Sequence, residues 1–253
     1  MKTSERHQLK TNEIAGVVSD LTERFEAHRS RILWAGGIAV AILVIGGGYW
    51  SWKTQQTAKA ATALSDAMAI ASAPVVPPAP AAQPGQPAPP APPAGSYPSA
   101  AARAQAAIAK FREVAAAYGT TEAGLAAQYQ TAALLAETGN TAEAEKEFKA
   151  VVERAGTGLY GTMARLGLAE VQVRAGQFDP AIATFQELAS RADADLPVDG
   201  LLMQLGRAYA LSGRKAEALR AYQRVVDEFP DSLFATEARR EVETLKAGTG
   251  SSS

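Results

Sequence analysis

The chain has 253 residues, with 25 Lys and Arg against 26 Asp and Glu, two His and no Cys. Without Cys it can form no disulfide, thiolate metal site or cysteine nucleophile, and both His residues precede residue 32. A net charge of −1 lacks the basic excess that nucleic acid binding requires, so we predict no nucleic acid partner.

An uncharged run of 21 residues, from Ile32 to Trp52, lies near the N-terminus. About 20 apolar residues are needed to cross a bilayer, and aromatic residues stand near both ends of the run, as at a membrane interface. We predict a transmembrane helix over 32–52. One alternative is a cleaved signal peptide ending at the A-x-A pattern of Ala58 and Ala60, although the segment before the run is long and carries acids. Another is a buried soluble helix, for which the other segments offer no matching apolar partner.

Six Lys or Arg residues precede the predicted span, and only two follow it within the next 50 residues. By the positive-inside rule, we predict a single-pass protein of the bacterial inner membrane with a cytoplasmic N-terminus and an extracytoplasmic remainder. Residues 1–31 are then the cytoplasmic segment. Apolar residues between Ile14 and Phe25 recur every three to four positions and predict a short amphipathic helix. This helix lies on lipid, docks a partner, or simply extends the span.

Two segments of opposite composition follow the predicted span. Residues 53–72 are rich in Ala and contain no Pro or Gly, so they predict a helix. Residues 73–98 contain 11 of the 14 prolines and predict a disordered or polyproline II segment. This segment is either an insertion within the first helical hairpin or a spacer between membrane and repeats. A ligand for proline-reading domains is a further alternative.

A period of 37 residues extends through the rest of the chain. In each unit a small residue, an aromatic residue four positions later and an aliphatic residue three positions after that share one helical face. A Gly at the same spacing ends one helix before the next begins, so the period predicts helix hairpins. The periodic positions are Ala107, Ala144, Ala181 and Ala218; Phe111, Phe148, Phe185 and Tyr222; Val114, Val151, Leu188 and Val225; and Gly139, Gly176 and Gly213.

These residues resemble the tetratricopeptide repeat (TPR) pattern. The units at 125–158 and 162–195 match it in part, and the second has Arg165 and Gln172 where the pattern has apolar or aromatic groups. The usual TPR period is 34 residues, so we expect the three added residues of each unit in the turn between hairpins. The unit at 199–232 occupies all eight signature positions, with Leu202, Leu205, Gly206, Tyr209, Ala218, Tyr222, Val225 and Pro230.

The two ends of the repeat region, which spans 99–246, differ from its middle. Residues 99–118 supply the second helix of a first unit, and we assign its missing first helix to 53–72. Residues 232–246 predict a capping helix, with Asp231 and Ser232 as its cap, and 247–253 predict a flexible tail. The predicted fold class is all-α, a single transmembrane helix followed by a TPR-like solenoid of helix hairpins.

The order of these segments resembles that of the YfgM-like ancillary subunits of the SecYEG translocon. The last residues are similar to the repeat ends of CpoB- and BamD-type TPR proteins, in the stretch EFPDSLFATEARREVETL. The first resemblance implies a partner at the Sec translocon and a role in protein translocation or periplasmic chaperoning. The second implies a coordinator of envelope assembly or cell division. An accessory subunit of a membrane enzyme complex is a third alternative.

The sequence contains no recognisable catalytic, phosphate-binding or metal-binding motif, so we predict a protein that is not an enzyme and has no cofactor. In a TPR array the first helix of each hairpin lines the binding groove. The resemblance therefore implies a set of residues that bind other proteins or unfolded polypeptide, with packing inside the hairpins as the alternative. The set is Tyr129, Ala133 and Glu137; Leu166, Glu170 and Arg174; and Met203, Arg207 and Leu211.

Overall fold

The computed structural model describes residues 3–78, 92–190 and 196–250. Side chains are described at Trp34 and from Gly37 onward within these ranges, as far as residue 247. The chain divides into two units, Met1–Gln56 and Thr57–Ser253. The first helix, α1 (Thr3–Ala71), contributes residues to both.

The first unit is helical throughout its described backbone. Its large apolar side chains between Ile38 and Ile45 are 56–74% exposed. Because successive helical positions are about 100° apart, these side chains lie on all sides of the helix. Among the residues that the structure describes, none of the helices is long and apolar enough for a membrane crossing.

Two predictions for the N-terminal region fall partly beyond the described side chains. The short amphipathic helix predicted within residues 1–31 lies entirely before the first described side chain, although the backbone of this segment is helical from Thr3. The predicted span of 32–52 begins in the same part of the chain, because the side chains of residues 32, 33, 35 and 36 also lie outside the described residues.

In the second unit, α1 packs against α2 (Ala100–Ala117). Ala67 of α1 is fully buried and shares a core cluster with Phe111 and Val114 of α2. Burial of these apolar groups stabilises the pair of helices, at about 25 cal/mol for each Å² of apolar surface removed from water.

A parallel β-bridge joins Val75 to Tyr97 in the connection between α1 and α2. Two backbone hydrogen bonds of 2.9 Å form it: the Tyr97 N–H donates to the Pro74 carbonyl, and the Tyr97 carbonyl accepts from the Val76 N–H. We call this contact the Val75–Tyr97 bridge. The segment of 79–91 lies between its two sides and outside the described residues.

The helices that follow α2 pair in chain order. The hairpins are α3 (Glu122–Glu137) with α4 (Thr141–Ala155), α5 (Leu159–Arg174) with α6 (Phe178–Ser190), and α7 (Val198–Leu211) with α8 (Lys215–Glu228). Helix α9 (Ala235–Gly250) then packs against α8. It starts later than expected from the sequence, because the Ser232 hydroxyl donates to Asp199 of α7 and accepts from the Phe234 N–H.

A glycine with positive φ ends the first helix of each of these hairpins. The φ values are 80° at Gly139, 74° at Gly176 and 80° at Gly213. In each case the N–H of the next residue donates to the carbonyl five residues earlier, over 2.8–2.9 Å. Glycine suits this left-handed cap because it has no Cβ to clash with the backbone.

The periodic positions form the core of the second unit. The four periodic alanines are fully buried, and the aromatic and aliphatic residues of the same period are at most 3% exposed. The TPR-like solenoid of helix hairpins predicted from the period is therefore confirmed.

The expectation that three added residues lengthen the turn is wrong for two hairpins. Helices α3 and α5 begin at Glu122 and Leu159, three residues before the unit boundaries expected from the sequence, so the added residues form helix. Gly124 and Gly161 permit this extension, because a Cβ would lie 2.1 Å or 2.2 Å from a backbone oxygen of the preceding segment. The first turn of each helix therefore packs closely on the chain before it.

Candidate functional site

Three cavities open along the surface that the first helices form in the second unit. We call this surface the first-helix face and define it as α1 from Thr57 onward together with α3, α5 and α7. The α1–α3 cavity has a volume of about 560 Å³, the α5–α7 cavity about 580 Å³, and the α7–α9 cavity about 430 Å³. A TPR array uses this type of surface to bind extended segments of other proteins.

The α1–α3 cavity is mainly apolar and lined by small side chains. Ala61 and Ala126 form parts of its walls, Met68 is 45% exposed, and Tyr160 of α5 completes the lining. Among the described residues, Glu122 is the only charged one in its lining. This cavity therefore suits an apolar side chain.

Tyr129 packs within an aromatic group between α3 and α5. Its ring centroid lies 5.9 Å from that of Phe148, in an edge-to-face arrangement, and 6.0 Å from that of Tyr160. Burial raises the pKa of the Tyr129 hydroxyl, and the charge of Glu170 and the Tyr160 hydroxyl raise it further. The Tyr129 ring thus packs inside the hairpins, and its hydroxyl lies near Glu170, which lines the α5–α7 cavity.

The α5–α7 cavity combines one acid with two guanidinium groups, those of Arg174 and Arg207. Burial raises the pKa of the Glu170 carboxyl, and the charge of Arg174 offsets part of this effect. Arg174 is held in place because its Nη1 donates to the Ala136 carbonyl at 3.0 Å. Leu211, which is 59% exposed, adds an apolar wall.

The α7–α9 cavity shares Arg207 and Leu211 with its neighbour but has more acids. Glu237 and Glu241 come from α9, and the buried Tyr222 of α8 also lines the cavity. Burial raises the pKa of Tyr222 to about 12; the charges of Glu241 and Glu237 act in the same direction, and that of Arg207 opposes them. The Tyr222 hydroxyl therefore keeps its proton at neutral pH.

The residues expected to bind partners do not all line the same cavity. Glu170, Arg174 and Arg207 line the α5–α7 cavity, whereas Met203 and Arg207 line the α7–α9 cavity. Leu166 and Ala133 pack against core clusters instead. Glu137 is exposed at the end of α3, and Tyr129 packs on aromatic rings.

Sequence reasoning missed many of the lining residues, including every one that lines the α1–α3 cavity. Tyr160 lies in the added first turn of α5, which was expected to be a turn between hairpins. Phe234 immediately precedes α9, and Glu237 and Glu241 lie in its first two turns, so all three are outside the three complete repeats. Glu237 and Glu241 are four residues apart, so their shared helical face was the available signal.

The chain belongs to the tetratricopeptide repeat-like domain family, whose model matches residues 25–243. It is thus a TPR-like repeat scaffold, a fold that generally mediates contacts between proteins. A comparison with curated protein sequences finds no match.

Solved structures of other proteins are similar to part of this chain. Two are crystal structures of a Podosopora anserina protein with nearly identical TPR-like repeats, at TM-scores of 0.52 and 0.51 and 20% sequence identity. Each similarity covers 59% of this chain, and 80% or 81% of the other. A MamA RS-1 double mutant has a TM-score of 0.44 at 20% identity, covering 59% of this chain and 88% of that one.

Proposed function

We propose that this protein is a membrane-anchored, non-enzymatic scaffold whose first-helix face binds other proteins or unfolded polypeptide. The observation that carries the proposal is the row of three cavities on that face, each with accessible apolar or charged groups. Met68 and Leu211 are 45% and 59% exposed there, whereas the periodic aromatic and aliphatic side chains of the hairpins are buried. A polypeptide laid along the face would cover them.

The anchor is the second part of the proposal. Its support is the uncharged run of 32–52, preceded by six Lys or Arg residues and followed by two within the next 50 residues. The exposed apolar side chains between Ile38 and Ile45 also favour it, because a helix that is apolar on all sides needs lipid or protein around it. The scaffold then has a cytoplasmic N-terminus and lies on the extracytoplasmic side of a bacterial inner membrane.

The cellular role that we propose is assistance to protein translocation or periplasmic chaperoning, in the manner of YfgM-like subunits beside the Sec translocon. Its support is the order of the segments along the chain, with one apolar run before a helical repeat region. The similarity of the final repeat to CpoB- and BamD-type proteins favours envelope assembly or cell division as the second candidate.

Site-specific photo-crosslinking tests the binding face and the role together. A photoreactive amino acid at Leu211 should crosslink to partner proteins in living cells, because this exposed residue lines two cavities. The matched control carries the same group at Lys146, which is exposed on the second helix α4. Mass spectrometry of the adducts then distinguishes translocon components from division or envelope-assembly proteins. Equal crosslinking at both positions would argue against the first-helix face.

Carbonate extraction tests the anchor. The protein should stay in the membrane pellet, and protease added outside the inner membrane should degrade the chain beyond about residue 53. A soluble mature protein beginning near Ala61 would instead show that the apolar run is a cleaved signal peptide.

A further inference from the structure

The α7–α9 cavity holds an unusual tyrosine. Tyr222 is 3% exposed, yet its hydroxyl has no hydrogen-bond partner among the residues that the structure describes. By contrast, the Tyr209 hydroxyl accepts a hydrogen bond from Gln186 Nε2 at 2.7 Å. Tyr222 thus brings an unused polar atom to the lining of an open cavity.

The same cavity has an excess of negative charge. Two carboxylates, those of Glu237 and Glu241, line it against the single guanidinium of Arg207. Within the described part of the chain, neither carboxylate forms an ion pair within 4.0 Å. Glu237 stands in the first turn of α9, where it offsets the positive end of the helix dipole. Glu241, one turn further on, has no such compensation.

Apolar side chains complete the cavity. Leu211 and Phe234, which are 59% and 37% exposed, line it together with Met203. A long aliphatic stem can lie along such walls while its charged end reaches polar groups. The combination of apolar walls, two acids and a free hydroxyl is complementary to one class of side chain.

We propose that the α7–α9 cavity binds a cationic side chain, Lys or Arg, of a polypeptide that occupies the first-helix face. The stem lies against Leu211 and Phe234. The charged group donates to the carboxylates of Glu237 and Glu241 and to the Tyr222 oxygen. This inference rests on the proposed function, because it specifies one side chain of the ligand that the scaffold binds.

Fluorescence anisotropy with designed peptides tests it, using the full chain in a non-ionic detergent. The probes are labelled dodecapeptides of Gly, Ser and Leu that differ at one central position, occupied by Lys, Arg, norleucine or Glu. Norleucine keeps the aliphatic stem and removes the charge. The Lys and Arg peptides should bind about tenfold more tightly than the norleucine peptide, because hydrogen bonds to charged groups are the stronger ones. The Glu peptide should bind most weakly.

Three variants locate the preference. The double variant Glu237→Gln with Glu241→Gln keeps side-chain shape and should bring the Lys peptide to the affinity of the norleucine peptide, with Glu241→Gln as the larger contributor. Tyr222→Phe removes only the hydroxyl, so it should weaken the Lys peptide about threefold and leave the norleucine peptide unchanged. The control is Glu243→Gln, an exposed acid of the same helix outside the cavity lining, which should change neither affinity.

The outcomes separate this inference from the proposed function. If all peptides bind but Lys and norleucine are equal, the cationic site is wrong while the binding face stands. If the double variant still binds the Lys peptide more tightly than the norleucine peptide, the cation binds elsewhere, and the proposed site is wrong. If no peptide binds at millimolar concentration, both the site and the proposed binding of extended polypeptide are wrong. Circular dichroism of each variant verifies that the helices are intact.

Discussion

The hairpins α5–α6 and α7–α8 have the same backbone design but different inner surfaces. In α7, Leu202 is fully buried and Tyr209 is 9% exposed, with its hydroxyl bonded to Gln186. The equivalent positions of α5 hold Arg165 and Gln172. Arg165 Nη1 is buried without a hydrogen-bond partner among the described residues, and Gln172 is 6% exposed.

Both hairpins nevertheless form, because they share the stripe that packs between their helices. Ala181 and Phe185 are fully buried in one hairpin, and Ala218 and Tyr222 are 0% and 3% exposed in the other. This stripe, with the glycine turn, therefore defines the hairpin, while the two varying positions adjust its stability. An unpaired buried donor costs about 1–3 kcal/mol, so α5–α6 is the less stabilised of the two.

Removing the shared stripe should have the largest effect, and a similar one in both hairpins. Phe185→Ala and Tyr222→Ala should each lower the free energy of unfolding by about 3–5 kcal/mol, because each deletes a buried aromatic ring. The same range is expected for Phe148→Ala. Urea denaturation followed by circular dichroism measures the loss, and Leu233→Ala, at a residue that is 96% exposed, is the control. Parent-like melting of any ring variant would mean that the shared stripe is not the core.

A smaller effect is expected at the close contact inside α7–α8. A Cβ at Gly206 would lie 2.6 Å from the Tyr222 ring. Gly206→Ala should therefore destabilise the protein by about 1–3 kcal/mol through overpacking. Gly200→Ala is the matched control in the same helix, because its Cβ would meet Phe234 at an ordinary 3.4 Å. It should gain up to about 1 kcal/mol from helix propensity, and a loss as large as that of Gly206→Ala would rule out overpacking as the cause.

Replacing Arg165 of α5 with leucine, the residue at the equivalent position 202 of α7, should reduce the difference in stability between the two hairpins. Arg165→Leu should raise the free energy of unfolding by about 1 kcal/mol, since it removes an unpaired buried donor and adds apolar packing. The control is Arg220→Leu on the exposed side of α8, where we expect a change within about 0.5 kcal/mol. Thermal melting compares the two, and a destabilised Arg165→Leu variant would show that the guanidinium is stabilising.

The last effect, similar in size, concerns the hydrogen bond between Tyr209 of α7 and Gln186 of α6. Tyr209→Phe should cost about 1 kcal/mol because Gln186 Nε2 loses its acceptor. A double-mutant cycle with Gln186→Leu isolates the pair, and the coupling energy should account for most of the loss. A coupling energy near zero would show that the cost of Tyr209→Phe does not come from this hydrogen bond.

The fold was predictable because its period is visible in the sequence. An alanine, an aromatic residue and a glycine recur every 37 residues. Their spacing along the chain determines which residues share a helical face and where each helix ends. The first turn of α5 was not predictable in this way. Its helical start depends on Gly161 lying against a backbone oxygen of the preceding segment, a contact that the sequence pattern does not contain.

The candidate site was predictable only in part. Placing residues on the first helices identified Glu170, Arg174 and Arg207, which do line one cavity. The sequence did not identify Glu237 and Glu241 of α9 as lining residues. This helix lies outside the repeat period, so the family pattern assigns no binding positions to it. Leu166, which was expected on the same face, packs against a core cluster, in line with the alternative of packing inside the hairpins.

The Val75–Tyr97 bridge makes the connection between α1 and α2 a natural place for protein engineering. Because the bridge joins the chain on both sides of residues 79–91, we expect the α1–α2 packing to depend little on the length between them. Doubling that length should cost only about 0.6 kcal/mol of closure entropy. A fluorescent reporter domain inserted between Gly85 and Gln86 should therefore leave the repeats folded, and would tag the scaffold without replacing any residue of its first-helix face.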